Sequence, residues 1–351
     1  MSAWNDFLSI PKTLLDQDAA RSLRGLALGA LAGKSVMVTG ASGLLGTHFL
    51  AGLLHVRQTL GCSLSIDAVV RQDIPEWIRP EPGTDMRIHQ GDLADPDFAS
   101  RLPMADIVIH AATYGQPARF TAEASTTLKL NTVTTCALLD RVRPGGKFLF
   151  LSSSELYSGL KDPPFTEEQI GTTNTDHPRA CYIEGKRCGE AICNSYRQLG
   201  VDAKAVRLAL AYGPGTRAGD ARVLNSLIEK GLRRKEIRLL DGGRAHRTYC
   251  YISDAMFMLW RILLEGKSSL YNVGGVWRTS IADMADCIAK LLQVPLFVPS
   301  GESEAMPGSP DDVYVSVQRF EREFGPVNFL SSDEGLKRTV QWQRHIYEGE
   351  D

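Results

Sequence analysis

From Lys34 onward the chain alternates short apolar or β-branched runs with longer stretches of helical periodicity. Ser35-Val36-Met37-Val38-Thr39 leads into a glycine-rich turn and then an apolar helix from Leu44 to Leu54. Further strand-like runs fall at Ile66 to Val70, Ile107 to Ile109, Phe148 to Leu151 and Ala205 to Leu210, each separated from the next by helical sequence. Strands that alternate with helices predict an α/β chain with a mostly parallel sheet covered on both faces.

Residues 1–33 mix Leu14, Leu15, Leu23, Leu26, Leu28 and Leu31 with charges, which reads as one or two helices leading into the main domain. Residues 34–212 form the regular part. After Gly213-Pro214-Gly215 the pattern loosens into a helix over Ala221 to Leu232 and short strands near Ile237-Leu240 and Tyr271-Val273. Residues 213–351 are thus expected to be a smaller domain, partly interleaved with the first.

The composition narrows the classes of partner. With 351 residues, 43% of them hydrophobic and a net charge of -2, the chain can bury a substantial core and carries no basic excess for nucleic acid. No apolar run reaches the ~20 residues a membrane helix needs. Asp6, Asp16 and Asp18 stand where a secretory signal would be basic and then apolar, so a cytoplasmic location is expected. The seven cysteines include no Cys-x-x-Cys pair, and Cys181, Cys188 and Cys193 read as small thiols on a helix rather than a metal site.

Two motifs carry chemistry. Gly40-Ala41-Ser42-Gly43-Leu44-Leu45-Gly46 places glycines between the first strand and a helix, where a pyrophosphate can approach the backbone and the helix N-terminus. That is the signature of a Rossmann-type, doubly wound sheet. At the end of the next strand an acid would pair with the adenosine ribose of NAD. Arg71 occupies that place and favours NADP, with Asp73 as an acid that could still reach the ribose. Asp92 and Leu93 lie where a loop commonly flanks adenine. The second motif is Tyr182-Ile183-Glu184-Gly185-Lys186, which puts a phenol and an ammonium on one helical face. A neighbouring cation is expected to lower the tyrosine pKa from ~10 toward a range where it accepts a proton from an alcohol.

Together with His110-Ala111-Ala112, Asn131, Leu151-Ser152-Ser153-Ser154-Glu155-Leu156-Tyr157 and Arg247-Thr248-Tyr249-Cys250-Tyr251-Ile252-Ser253-Asp254, these motifs resemble the extended short-chain dehydrogenase/reductase superfamily of nucleotide-sugar epimerases, dehydratases and decarboxylases. The resemblance runs from about Lys34 to Trp342 and is strongest to the UDP-glucuronate decarboxylases. Pro178-Arg179-Ala180-Cys181-Tyr182-Ile183-Glu184-Gly185-Lys186-Arg187 looks like their active-site helix, with Ile183 as the main difference. Gly219-Asp220-Ala221-Arg222-Val223 and Glu334 to Trp342 are similar to their later segments.

The resemblance implies that Tyr182 takes the proton from a sugar hydroxyl at C4 while a bound NAD or NADP accepts the electrons. It makes Lys186 the residue that holds the nicotinamide ribose and Ser153 a hydrogen-bond partner of the reacting oxygen. The cofactor would lie on Gly40, Ser42, Gly43, Leu44, Leu45, Gly46, Arg71, Asp92, Leu93, Ala111, Ala112 and Asn131. Tyr114, Gln116, Ser154, Arg222, Asn225 and Arg247 would contact a nucleotide-diphosphate sugar. The helices at Ala122 to Val142 and Tyr182 to Leu199 match a pair that forms a four-helix homodimer interface in such proteins. No metal is implied.

Ser153-Ser154-Glu155 discriminates among reactions. A 4,6-dehydratase typically has an acid where Ser154 stands, whereas Glu155 is shared with the decarboxylases, so decarboxylation leads. A 4-epimerase or a net 4-dehydrogenase or reductase is the alternative, followed by a 4,6-dehydratase and a non-catalytic dinucleotide sensor. Leu210 and Gly215 replace an asparagine and an arginine of the decarboxylase pattern, and the Tyr114-Gln116 loop differs from theirs. The identity of the sugar is therefore left open at this level.

Overall fold

The computed structural model describes residues 2–79, 83–299 and 314–348, with residues 2–9 and 348 described by backbone alone. Its strands are β1 (Ser35–Thr39), β2 (Ser65–Val70), β3 (Met86–Gln90), β4 (Ala105–His110), β5 (Val142–Ser153), β6 (Asp202–Leu208), β7 (Leu210–Tyr212), β8 (Ile237–Arg238), β9 (His246–Tyr251), β10 (Leu270–Val273), β11 (Trp277–Ser280) and β12 (Leu296–Phe297). The helices are α1 (Ser2–Ser22), α2 (Leu44–Leu60), α3 (Pro96–Ser100), α4 (Pro117–Ala122), α5 (Ala124–Asn131), α6 (Val133–Leu139), α7 (Ala180–Gln198), α8 (Val223–Arg234), α9 (Ile252–Glu265), α10 (Ile281–Leu292), α11 (Gln318–Phe324) and α12 (Ser332–Glu348).

Seven strands make one parallel sheet in the order β3-β2-β1-β4-β5-β6-β10. The expected doubly wound α/β architecture is therefore present. The pleat divides each central strand between two cores. Val36, Val38, Ile107, Ile109, Leu149 and Leu151 face the layer containing α2 and α9, while Met37, Val108, Phe148 and Phe150 face the other layer. The strand order reverses between β1 and β4, and the crevice above their C-terminal ends is where such sheets receive ligands.

The later segment interleaves with the first, since β10 supplies the outer strand beside β6. A second sheet, β11-β9-β7, stands beside the main one, and a short β12-β8 pair accompanies the packed helices α8 and α10. The N-terminal extension forms α1, which packs on α2, α9 and α12. Among the described residues no helix is long and apolar enough to cross a membrane.

Two departures from the periodicity have local causes. The helix expected from Ala122 to Val142 is broken at Glu123 (φ -113°, ψ 48°) and at Thr132 (φ -120°, ψ -81°), and its last residue begins β5. The Thr132 hydroxyl donates to Leu128 O at 2.7 Å, within a run of β-branched residues that resist continuous helix. Strand β3 has no apolar signal because it is an outer strand with exposed Arg87. Arg87 and His89 are there to hold the fully buried Asp67 of β2, at 2.8 and 2.7 Å.

Two buried imidazoles brace the crevice. His48 Nε2 pairs with Pro214 O at 2.8 Å, and His110 bridges Thr39 Oγ1 at 2.8 Å and Leu130 O at 2.9 Å. Burial lowers their pKa values to about 4 and about 3. A depressed histidine pKa means that the unfolded chain binds more protons below pH 6.5, so stability falls as pH drops from 6.5 toward 4. We expect each histidine to remove about 2 kcal/mol by pH 5. Urea denaturation at pH 7 and pH 5 checks this: His48→Gln should flatten the slope, and an unchanged slope counts against it.

Candidate active site

The first strand delivers the chain into a turn that only small residues allow. Gly40 sits at φ 65°, and a Cβ there would meet the Ala111 and Ala112 backbone at 2.7–2.8 Å. A Cβ on Gly46 would lie 2.2 Å from Gly40 O, so the third glycine is what lets α2 close against the turn. The α2 N-cap, Gly43, makes no side-chain cap hydrogen bond. The first-turn N–H groups of Leu44 and Leu45 thus form an uncapped cradle of the kind a dinucleotide pyrophosphate fits.

Opposite this loop, β5 ends at Ser153 and α7 presents Tyr182. The Ser153 hydroxyl lies near enough to the Tyr182 phenol to favour its ionised form, and Ser153 Oγ accepts from Glu155 N at 3.2 Å. The Tyr182 ring stacks on Phe120 with centroids 4.5 Å apart and planes 11° from parallel. One turn along α7, Lys186 is buried, donates to Leu151 O, and lies 5.8 Å from the Tyr182 ring centroid.

The expected depression of the tyrosine pKa is not what this arrangement produces. Burial pushes the Tyr182 phenol up to about 12, against the neighbouring Ser153 hydroxyl and the charges of Arg179 and Arg222. Burial also lowers the Lys186 ammonium to about 7, against the pull of Glu190. The reason is geometric: helical spacing brings the two side chains close, but both leave water together, and desolvation is the largest effect on each.

Glu155 is held by Arg179, a residue of the α7 motif to which the sequence alone assigns no role. Both carboxylate oxygens accept from Arg179 Nη1, at 2.7 and 2.8 Å, and Arg179 also lies over the Phe120 ring. Burial raises the Glu155 pKa while Arg179, Arg247 and His177 pull it down. Arg247, at the start of β9, is thereby brought to the acidic side of the site. Ser154 is buried in the turn that carries Glu155.

The other expected residues divide. Arg222 is within electrostatic reach of Tyr182 and chelates Asp220 at 2.9–3.1 Å through Nε. Asn225 is buried and accepts from Gln343 Nε2 at 2.9 Å. Asn131 is fully buried; its amide donates to Thr127 O and Thr113 Oγ1, and its Oδ1 has no partner. Tyr114 hydrogen-bonds Arg71 at 2.8 Å and Glu123 at 3.1 Å, which places it with the loop after β2. Gln116 forms the α4 N-cap through its backbone. Asp92 accepts from Ala94 N, and Leu93 is core. Asp73, the acid expected to reach a ribose, is exposed and held locally: Oδ1 accepts from Ile74 N and Oδ2 from Arg79, both at 2.8 Å.

The two substitutions against the decarboxylase pattern have structural settings. Leu210 pairs with Tyr249 in the second sheet. Gly215 lies at φ 95° beside Leu44 and His48, so a side chain there would be both strained and crowded against α2. The cysteines of α7 disperse, with Cys193 buried, Cys188 exposed and Cys181 donating to Phe120 O at 3.4 Å.

A parallel sheet with a glycine cradle at its switch point and a Ser-Tyr-Lys set beside it defines a dinucleotide-dependent enzyme of the short-chain dehydrogenase/reductase type. Residues 36–274 match the NAD dependent epimerase/dehydratase family, and the chain belongs to it. It is 26% identical over 316 residues to UDP-glucuronic acid decarboxylase 1 of Xenopus tropicalis, covering 89% of this chain and 72% of that one. Its fold is shared with a dTDP-glucose 4,6-dehydratase of Streptomyces venezuelae solved with NAD, at a TM-score of 0.76 and 21% identity over 90% of this chain and 98% of that one. A Bacillus cereus UDP-glucuronic acid 4-epimerase in complex with UDP-glucuronic acid and NAD superposes with a TM-score of 0.74 at 21% identity, over 89% and 100% of the two chains.

The Glu155–Arg179 pair is open to direct test. Arg179→Met should leave a half-buried carboxylate without its partner and cost about 2 kcal/mol in urea denaturation. Adding Glu155→Gln should recover most of that loss. No recovery would mean that Arg179 acts through packing on Phe120 alone.

Proposed function

We propose that the chain converts a nucleotide-diphosphate sugar by transient oxidation at C4, with loss of CO2 from a C6 carboxylate as the net reaction. The observation that carries this reading is the juxtaposition of Ser153 and Tyr182 with the Glu155–Arg179 pair, on one edge of the crevice that the glycine loop faces. Similarity to a decarboxylase over most of both chains supports the choice of reaction.

The nicotinamide dinucleotide would be held by the loop from Gly40 to Gly46 and by Tyr182 and Lys186, and it supplies the two-electron acceptor that oxidises C4 and later restores it. The chain's own residues manage protons and charge. Tyr182 takes the C4 hydroxyl proton, and Ser153 hydrogen-bonds the same oxygen as it becomes a ketone. Burial disfavours the Lys186 ammonium, and Glu190, one turn away, acts against that loss of charge. A carboxylate at C6 is β to the C4 ketone, so its C–C bond electrons can pass to the ketone oxygen as CO2 departs, and the resulting enolate takes a proton at C5 from solvent to regenerate the ketone. Ser153 and Tyr182 are placed to stabilise that oxygen. Arg222 and Arg247 are suited to the sugar diphosphate, because guanidinium groups bind phosphate oxygens bidentately. Residues 34–212 then form chiefly the cofactor domain and residues 213–351 chiefly the substrate part, in a cytoplasmic enzyme.

Mass spectrometry of products from a panel of nucleotide sugars, UDP-glucuronate included, tests the reaction. A product lighter by one CO2 is expected; an isomer of unchanged mass overturns decarboxylation in favour of epimerisation. Tyr182→Phe should abolish turnover and leave dinucleotide binding within about 3-fold, about 0.7 kcal/mol. Wild-type turnover in that variant would exclude Tyr182 as the base.

The same reading includes a homodimer through the outer faces of α5, α6 and α7, where Leu128, Val133 and Cys188 are exposed. Light scattering at micromolar concentration should give twice the chain mass, and a monomer would refute the assembly.

A further inference from the structure

The loop that follows β2 is where a sheet of this kind reads the adenosine ribose. Three guanidinium groups meet around it. Arg71 directly follows the strand and donates through Nη1 to Tyr114 OH at 2.8 Å. Arg217 arrives from the segment between β7 and α8. Its Nε donates to Ser42 O at 3.0 Å and its Nη2 to Asp73 O at 3.4 Å. It therefore spans from the glycine loop to the loop after β2, the two backbone segments that bracket a ribose in this fold. Arg119 lies over the Tyr114 ring at 4.3 Å. Burial, and then the Arg119 charge, lower the Arg217 pKa, so the two cations share this space.

Each carboxylate of the neighbourhood already has a partner within the chain, Glu123 inside the arginine cluster itself. Asp67 is fully buried between Arg87 and His89, and Asp73 is held by Ile74 N and Arg79. Glu123 accepts from Tyr114 and lies 3.9 Å from Arg119, while Asp92 accepts from Ala94 N. Pairing with a ribose 2′-hydroxyl calls for an acid aimed into the pocket, whereas a 2′-phosphate calls for guanidinium groups.

The segment bearing Arg217 is also tied down on both sides. Pro214 O is held by His48 at 2.8 Å, and Thr216 O accepts from Trp342 Nε1 at 2.7 Å. The arginine is thus presented by fixed backbone, which limits the side-chain entropy lost on contact with a ligand.

We propose that Arg71 and Arg217 clamp a phosphate on the adenosine 2′-oxygen, with Arg119 adding positive charge, so that this chain prefers NADP(H) to NAD(H). The proposal rests on the dinucleotide reading given above and sets this chain apart from the NAD named in its family's description. One arm of the clamp follows β2 directly, and the other comes from the substrate part of the chain.

Isothermal titration of the purified full chain with NADP+, NAD+, adenosine 2′,5′-bisphosphate and 5′-AMP tests it without relying on turnover. NADP+ should bind at least about 10-fold more tightly than NAD+, and the bisphosphate should exceed 5′-AMP by a similar factor, about 1.4 kcal/mol. Arg71→Asp should reverse the dinucleotide preference. Arg217→Ala should reduce it, and Arg217→Lys should restore part of it because the charge is kept while the planar fork is lost. Thermal melts of each variant separate this from misfolding. NAD+ binding as tightly as NADP+ to the wild-type chain overturns the clamp and leaves the dinucleotide reading standing. Binding of neither dinucleotide overturns both.

Discussion

The buried charge cluster that fastens α7 to the end of β5 is the constraint on which the site depends. Glu190 accepts from Ser152 Oγ at 2.6 Å and from Arg207 at 2.8–3.3 Å, while Lys186, one turn earlier, donates to Leu151 O. Arg207 continues the network to the carbonyls of Glu167 and Gln169. All of these charges are away from water, where removing one partner of a pair costs about 3–5 kcal/mol. Helix and strand therefore cannot slide relative to one another without stranding a charge. That restriction holds Tyr182 against Ser153.

Close approach is a condition of this network, and glycine supplies it. A Cβ on Gly189 would lie 2.3 Å from the Phe150 ring, and one on Gly185 would lie 3.3 Å from Asn131. The helix face is smooth where it crosses the strand and the neighbouring α5. Phe120 then covers Tyr182 and Arg179 covers Phe120, so the phenol, the aromatic stack and the Glu155 pair form one continuous wall. The desolvation that accompanies this packing is also what drives the Tyr182 and Lys186 pKa values apart, the phenol up and the ammonium down.

The chain termini serve the same rigidity from the opposite face of the sheet. Asp18 of α1 accepts from Tyr251 OH at 3.0–3.1 Å and from Arg338 at 3.0 Å, and Arg21 pairs with Asp254 at 2.9 Å. Burial nonetheless raises Asp18 to about 6, while its partner Arg338 is raised as well. Both directions are consistent, because the carboxylate is the deeper of the two groups and bears the larger desolvation. Tyr251 ends β9, which also carries Arg247, so the N-terminal extension buttresses a strand of the substrate part. The sequence showed amphipathic helix there and no chemistry. Its structural role emerges only from partners more than 200 residues away.

Local rules made much of the protein legible in advance. Apolar runs at period two, the glycine spacing after β1 and the Tyr182/Lys186 interval depend on sterics and periodicity within a few residues, which the sequence contains in full. They determined the parallel sheet, the position of its ligand crevice and the residues at its edge. Strand β3 was hidden because its polar side chains answer to Asp67 on a neighbouring strand rather than to a core. Arg179, Phe120, Glu190 and Arg217 were hidden for the same reason, since each acts through a partner distant along the chain; Arg217 meets Ser42 across 175 residues. Protonation states were out of reach too, and the expected acidic tyrosine became a buried phenol near 12. The sequence by itself thus determined which elements form and which chemical groups are available. Only the tertiary structure decided which charges face one another and how far water is excluded from them, because desolvation and long-range pairing are properties of the assembled fold.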